Sequence, residues 1–317
     1  MKINLLWPKE SIKVGWGGIV PMFDMIRYGL MELGHEVEVG RVAKANELNL
    51  CLWQGYIDEN IVSNPDVLNK NNSALFQVEP LDSWLMSYNM IWVDKFDKLI
   101  PRSHFVEWSK GMNVWDYSVL NAKYLPDANK ILQFDWAFQK ELFNPCFDPH
   151  CKRGIFFYGT NGNRRSDLLN QLVPHVDVGF LNGYHGDELF EKISEYSFGI
   201  SLGQLPNLNY EVEGSNTVTG NPDNMLYRHE RKVESLRMAE SLHRGFFTLC
   251  ELGSDQRQNE YWSDFCVLSP LLNLLPNAID LLSDNKYLDV QQEKVANFKE
   301  KTSMARTLER LLDETFA

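Results

Sequence analysis

Three stretches of the sequence gather residue types that can hold a phosphorylated ligand. VGWGGIV (14–20) sets Gly15, Gly17 and Gly18 ahead of a helix-like run. Positions without a β-carbon let the backbone approach a ligand, and a helix N-terminus favours an anion. The stretch is neither a P-loop nor a GxGxxG, and a plain tight turn fits it equally. YGTNGNRRSD (158–167) ends a strand at Gly159, turns through Thr160 and opens a helix with Arg164 and Arg165. Cations at a helix N-terminus oppose the macrodipole, and an anion between them relieves that conflict; a solvated surface pair is the other reading. In LRMAESLHRG (236–245), Arg237 and Glu240 stand three apart on one helix. Two roles fit: an intrahelical ion pair of small worth, or Arg237 on a phosphate with Glu240 accepting from ribose hydroxyls.

Other sets carry less. Cys51, Cys146, Cys151, Cys250 and Cys266 are an odd number in a long chain, as expected of free thiols in a reducing compartment. Cys146 and Cys151 bracket His150 in CFDPHC without a second pair at zinc-like spacing, so a loop with buried thiols is expected and no metal site. No Asp-x-Asp occurs, which disfavours a diphosphate held through a metal on such a motif. Arginines and helix N-termini are the parts present for that task. Lys95, Lys98, Arg102 and Lys110, interleaved with Trp92, Phe96, Phe105 and Trp108, form the best local basic run. A solvated helix face over buried aromatics explains that run as well.

The elements that must position these residues alternate between short apolar runs and helical periodicity, the pattern of βα units around parallel sheets. Strands are expected at 2–7, 36–40, 48–53 and 73–78, with 90–103 and 129–134 continuing the same sheet. A helix over 20–33 puts Met22, Met25, Ile26, Leu30 and Leu33 on one face and ends at Gly34. LFNPCFDPHCKR (142–153) has two prolines and neither period, which suits a linker. A second series follows: strands 154–159, 176–181, 198–203 and 246–251, with helices over 164–173, 186–197 and about 228–244. On the last of these, Val233, Leu236, Ala239 and Leu242 or His243 can face the sheet. Residues 204–224 read as a long loop, and about 292–315 as a terminal helix with Val295, Phe298, Met304, Leu308, Leu311 and Leu312 near helical spacing.

Basic residues number 31 and acidic residues 43, a formal net charge of −12 in 317 residues. That argues against coating nucleic acid through a broad positive surface, and leaves room for a local basic cleft. The first ten residues lack the apolar core of a signal peptide, and no stretch approaches the ~18 apolar residues of a membrane span. A cytoplasmic location is expected, the host cytoplasm if the protein is viral.

GGIVPMFDMIRYGLMELGHEVEV, DWAFQKELFNP, FFYGTNGNRRSDLLNQL and LRMAESLHRGFFTLCE together resemble glycosyltransferases of the GT-B class. The shared features are Gly17 and Gly18 before a helix ending in Gly34-His35-Glu36-Val37, then Asp135 with Phe143 and Pro145. They continue with Gly159 and Arg164 or Arg165, and with Glu240 before Gly245. The commonest retaining enzymes carry a second glutamate eight residues before the one matched by Glu240; Lys232 stands there, which counts against a retaining mechanism. Leu236-Arg237-x-x-Glu240-Ser241, and Val20-Pro21 with Asp24, are similar to the phage DNA β-glucosyltransferases and related phage and spore-type enzymes.

The resemblance implies an α/β, GT-B fold: two Rossmann-like domains facing across a cleft. The domains expected are an acceptor side at 1–148, a nucleotide-sugar side at 149–300, and a helix at 301–317 returning to the first. It implies transfer of a sugar from a nucleotide sugar, a UDP-sugar first, to a hydroxyl, inverting and without a required cofactor. Gly17, Gly18, Gly159, Thr160, Arg164, Arg165, Arg237 and Glu240 would bind the donor. Glu79 or Asp82, following Leu75-Phe76, would act as general base, with Asp24 a further candidate; an N-cap before a helix at 83–89 competes for both carboxylates. The acceptor is a glycan, a small molecule or a hydroxymethylated DNA base. Residues 1–150 carry 14 basic and 19 acidic side chains, which weighs against DNA. A non-catalytic sugar-nucleotide-binding module is the remaining reading.

Overall fold

Strands buried on both faces read as unbroken apolar runs, and such runs order both sheets of the protein. The computed structural model describes residues 1–6, 20–52, 65–77, 91–93, 98–100, 108–150, 153–159, 163–184, 186–202 and 235–316. Of these, side chains are not described at 52, 91–93, 98–100, 163 and 164. Two compact units result, Met1–Phe143 with Lys299–Ala317, and Asn144–Phe298.

In the first unit, β1 (Lys2–Leu6), α1 (Val20–Glu32), β2 (Glu36–Gly40), β3 (Leu48–Leu52) and β4 (Ser73–Gln77) occur near their expected places. α1 buries Met22, Met25, Ile26 and Leu30, and Gly34 at φ +78° ends the turn after it. Residues 90–103 do not continue the sheet. β5 (Ile91–Val93) and β6 (Lys98–Ile100) pair with each other, antiparallel, as Ile91↔Ile100. Only residues 94–97 join them, too few for the crossover of a dozen residues or more that parallel neighbours need. The next strand of the sheet is β7 (Asn113–Asp116), followed by β8 (Lys130–Gln133). The order is β2-β1-β3-β4-β7-β8, parallel throughout.

The expected terminal helix is two helices, α7 (Tyr287–Lys301) and α8 (Met304–Phe316); the elements between β8 and α7 belong to the second unit and follow below. Thr302 and Ser303 separate the two, the Ser303 hydroxyl accepting from Arg306 N as an N-cap does. α8 lies on α1 at Gly29, where a β-carbon would come within 2.7 Å of Leu308 Cδ1 and 3.1 Å of Met304 Cγ. On the sheet side, Trp115 Nε1 donates to Thr315 Oγ1 at 2.8 Å, and Phe76 meets Trp115 edge-on at 4.9 Å. The C-terminal helix is therefore part of the first unit's core.

The second unit repeats the plan. β9 (Arg153–Phe157), α2 (Asn163–Leu172), β10 (Val178–Phe180), α3 (Gly186–Ile193) and β11 (Tyr196–Ser201) are followed by α4 (Ser235–His243) and β12 (Thr248–Glu251). α5 (Gln256–Ser263), β13 (Val267–Ser269) and α6 (Leu274–Leu282) then lead into α7. The parallel order is β10-β9-β11-β12-β13. All six residues of β11 are buried. α4 turns Met238, Ala239, Ser241, Leu242 and His243 inward. His243 Nδ1 donates to the Ala239 carbonyl at 2.7 Å and its ring stands edge-on to Phe298; burial pulls its pKa down to about 4. No helix among the described residues is long and apolar enough to cross a membrane.

Two predictions follow from this packing. Gly29→Leu overfills the α1–α8 contact and lowers the unfolding free energy by about 1–3 kcal/mol in urea titration. His243 stays neutral in the native state at pH values where the unfolded chain takes up its proton. Its contribution is therefore complete above pH 6.5 and is lost as pH falls toward 4, by about 1.4 kcal/mol per pH unit. His243→Gln keeps a donor for Ala239 and should flatten the wild-type difference between pH 7.5 and 5.

Candidate functional site

Each sheet reverses its direction of growth beside its first strand, and the candidate residues described at such a point are those of the second unit. With β9 first in sequence and flanked by β10 and β11, the sheet reverses direction of growth between β9 and β11. Ligands of open α/β sheets bind at the carboxyl ends of the strands at such a switch point. β9 ends there in Phe157, with Tyr158 and Gly159 immediately beyond it, and β11 ends in Ser201 and Leu202.

α4 delivers a cation and a carboxylate to this edge. Gly159 has φ +122°, which side-chain-bearing residues rarely adopt, and a β-carbon there would stand 2.2 Å from Arg237 Nη2. The guanidinium thus lies directly on the glycine backbone, with the Tyr158 ring centre at 5.3 Å and that of Phe157 at 5.8 Å. One turn on, Glu240 Oε2 lies 3.1 Å from the Tyr158 hydroxyl, which is also 2.9 Å from the Arg237 carbonyl oxygen and 3.3 Å from Ser241 Oγ.

Burial sets the electrostatics. It pushes the Glu240 carboxyl up to about 7, against the Tyr158 hydrogen bond and the charges of Arg237 and Arg244. It also raises the Tyr158 phenol, with the Glu240 charge adding to the effect, and lowers Arg237 against the attraction of Tyr158 and Glu240. Arg244 packs its guanidinium 3.4 Å from the Phe190 ring centre. This edge of the sheet is therefore short of solvation for charges of both signs, the setting in which an added anion or hydroxyl gains most.

The other expected residues fall as follows. Arg165 is buried at 2% exposure, its Nε donating to the Leu202 carbonyl at 2.9 Å and its guanidinium 5.7 Å from the Phe157 ring centre. It is not a solvated surface cation; it ties α2 to the end of β11. Arg164 lies in the first turn of α2, with its side chain outside the described residues, as are Thr160, Gly17, Gly18, Glu79 and Asp82. Asp24 lies in α1 of the first unit, its pKa raised by burial and held back by Arg27. Cys146 is a half-buried free thiol 3.6 Å from the Phe190 carbonyl; Cys151 is not among the described residues. No cluster of three or more His, Cys, Asp or Glu that could hold a metal occurs among the described residues. Tyr158 joins Arg237 and Glu240 without standing out in the sequence; its one signal there is a hydroxyl-bearing ring directly before the strand-ending glycine.

Gly159→Ala should lower the unfolding free energy by about 1–3 kcal/mol through φ strain and the clash with Arg237. In an Arg237→Ala background the loss should shrink, because the clash is gone and the strain stays. Urea titration of the two single variants and the double variant measures the difference.

No protein-family model matches the chain, and comparison with curated protein sequences returns no match. Solved structures do match along its whole length. The DNA-modifying β-glucosyltransferase, determined in the presence and absence of its substrate uridine diphosphoglucose, has a TM-score of 0.54 at 10% identity, covering 100% of this chain and 99% of that one. AviGT4, a glycosyltransferase involved in avilamycin A biosynthesis, has a TM-score of 0.56 at 11% identity, covering 99% and 97%. Sucrose-phosphate synthase from Thermosynechococcus elongatus has a TM-score of 0.56 at 10% identity, covering 100% and 99%. With two Rossmann-like units in sequence and these full-length neighbours, the chain has the GT-B fold of glycosyltransferases and resembles the phage DNA β-glucosyltransferase in that fold.

Proposed function

We propose that this protein is a glycosyltransferase that moves a sugar from a nucleoside-diphosphate sugar, a UDP-sugar first, to an acceptor hydroxyl. One observation carries the reading: Arg237 and Glu240 stand together on the Tyr158–Gly159 strand end at the switch point of the second sheet. A diphosphate needs a cation and close backbone there, and a ribose needs an acceptor for its hydroxyls. In this reading residues 149–300 bind the donor, residues 1–148 the acceptor, and 301–317 complete the acceptor domain; the reaction runs in the cytoplasm. The uridine diphosphoglucose named for the β-glucosyltransferase supports the choice of nucleotide.

Inverting transfer needs a base on the acceptor hydroxyl and positive charge on the departing diphosphate. The acceptor oxygen bonds to the anomeric carbon, its proton passes to Glu79 or Asp82, and the bond from that carbon to the diphosphate oxygen breaks. Asp24 is the further candidate for the base. Arg164 and Arg237 meet the leaving diphosphate, while Arg165 adds its field from beneath. The arginines here do the work that a metal on Asp-x-Asp does in other sugar-nucleotide enzymes. The alternative acceptor is a hydroxymethylated base in DNA, in keeping with the likeness to a DNA-modifying enzyme; it would require a local basic surface against the net charge of −12.

Thermal-shift titration with UDP and UDP-glucose tests the donor site, since a ligand of the native state raises apparent stability by mass action. No response to either sinks the reading. Slow hydrolysis of UDP-glucose without acceptor separates the enzyme from a binding module. Of Glu79→Gln and Asp82→Asn, one should lower turnover by about 10²-fold or more with UDP affinity held. Near-normal turnover in both refutes the base assignment. Arg237→Ala should raise the donor KM and lower kcat together.

A further inference from the structure

We propose that Tyr158 is the positioning residue of the donor site, its hydroxyl holding the Glu240 carboxylate for a ribose while its ring face carries the Arg237 guanidinium. This rests on the donor-site reading above. Tyr158 reaches both functional groups of α4: the hydroxyl is 3.1 Å from Glu240 Oε2, and the ring centre 5.3 Å from the guanidinium carbon. The same hydroxyl lies 2.9 Å from the Arg237 carbonyl oxygen, so it also grips the helix backbone between the two. The ring is itself held, stacked on Phe156 at 6.1 Å and 24° and packed on the cluster of Leu181, Leu189 and Phe246.

A phenol has one proton to give. Donated to Glu240, it supports a charged carboxylate; donated to the Arg237 carbonyl, it leaves Glu240 to take up a proton and donate in turn. The position of Glu240 and its ionisation are therefore coupled through Tyr158. The charged and titratable groups acting on Glu240 are Arg237 from α4, Arg244 just after it and Tyr158 from beyond the end of β9; Arg244 in turn faces Asp187 on α3 and Cys146. Burial opposes the charge on Glu240, and Tyr158 is the strongest of the groups favouring it. A carboxylate accepts from two ribose hydroxyls, whereas the acid has lost part of that capacity. Donor binding should then strengthen with pH as Glu240 ionises, and losing the Tyr158 hydroxyl should move that gain to higher pH.

UDP binding measured by calorimetry from pH 6 to 9 on wild type, Tyr158→Phe and Glu240→Gln tests this. Glu240→Gln supplies the baseline for ionisation of the nucleotide itself, and Phe preserves the ring contacts with Arg237 and Phe156. Expected for Tyr158→Phe is binding about fivefold weaker at pH 7, a midpoint about one pH unit higher, and a gap that closes by pH 9. An unchanged midpoint, or equal weakening at every pH, overturns the proposal. Should Tyr158→Phe not fold, wild type and Glu240→Gln remain: parallel profiles overturn the proposal, and a wild-type gain near pH 7 absent from Glu240→Gln supports it. Wild type that binds no UDP at any pH removes the donor-site reading itself, a result distinct from either.

Discussion

A parallel sheet covered on both faces spends its residues on burial and leaves chemistry only the strand ends. β11 is buried at all six positions and β4 at all five, so neither can present a functional side chain from its length. The polar residues with something to bind must come from loops and helices meeting the carboxyl edge. At that edge of the second unit the limiting constraint is the space over Gly159. A guanidinium occupies the volume of the missing β-carbon, so the cation, the strand end and the helix that brings the cation are set by one contact. Arg165, bonded to Leu202 from beneath, makes a second tie of the same kind between helix and strand end.

Charge survives in this crowded place because it is shared among partners that do not compete. Arg237 rests on the faces of Phe157 and Tyr158, Arg165 on Phe157, and Arg244 on Phe190. Aromatic faces attract cations without drawing on the few hydrogen-bond acceptors nearby. Glu240 has no such aromatic support and depends on hydrogen bonds, which is why burial acts on it most openly, pushing its carboxyl to about 7. A site built this way holds its cations firmly and the Glu240 carboxylate in balance.

Elements with a strong period were legible in the sequence, and those whose identity comes from tertiary pairing were not. α1 shows its buried face as Met22, Met25, Ile26 and Leu30, and EVEVG coincides with β2. β7 is NVWD, two apolar residues between two polar ones, a strand only because Gln77 and Gln133 flank it in register with Asp116. The 90–103 stretch has strand composition but pairs with itself, and composition carries no partner. In the site, Arg237 and Glu240 were visible as residue types at helical spacing. Tyr158 was hidden because a ring at a strand end reads as core, and its hydroxyl acquires meaning only from the helix turn above it.

The starts of the first unit's strands are tied together by amides. Near the strand starts, Asn4 donates to Asn49 Oδ1 at 2.9 Å, Asn49 donates to the carbonyls of Lys44 and Glu47, and Asn129 donates to Asn113 Oδ1 at 2.7 Å. Amides suit this place because each offers donors and an acceptor without a charge to desolvate. They tie the loops leading into the strands to one another across the sheet. Charge is present beside them where solvent reaches it: Lys2 pairs with Glu36, and Lys44 with Glu38 and Glu47. A pair buried there as deeply as Glu240 would carry a desolvation cost that the exposed Lys2–Glu36 pair avoids.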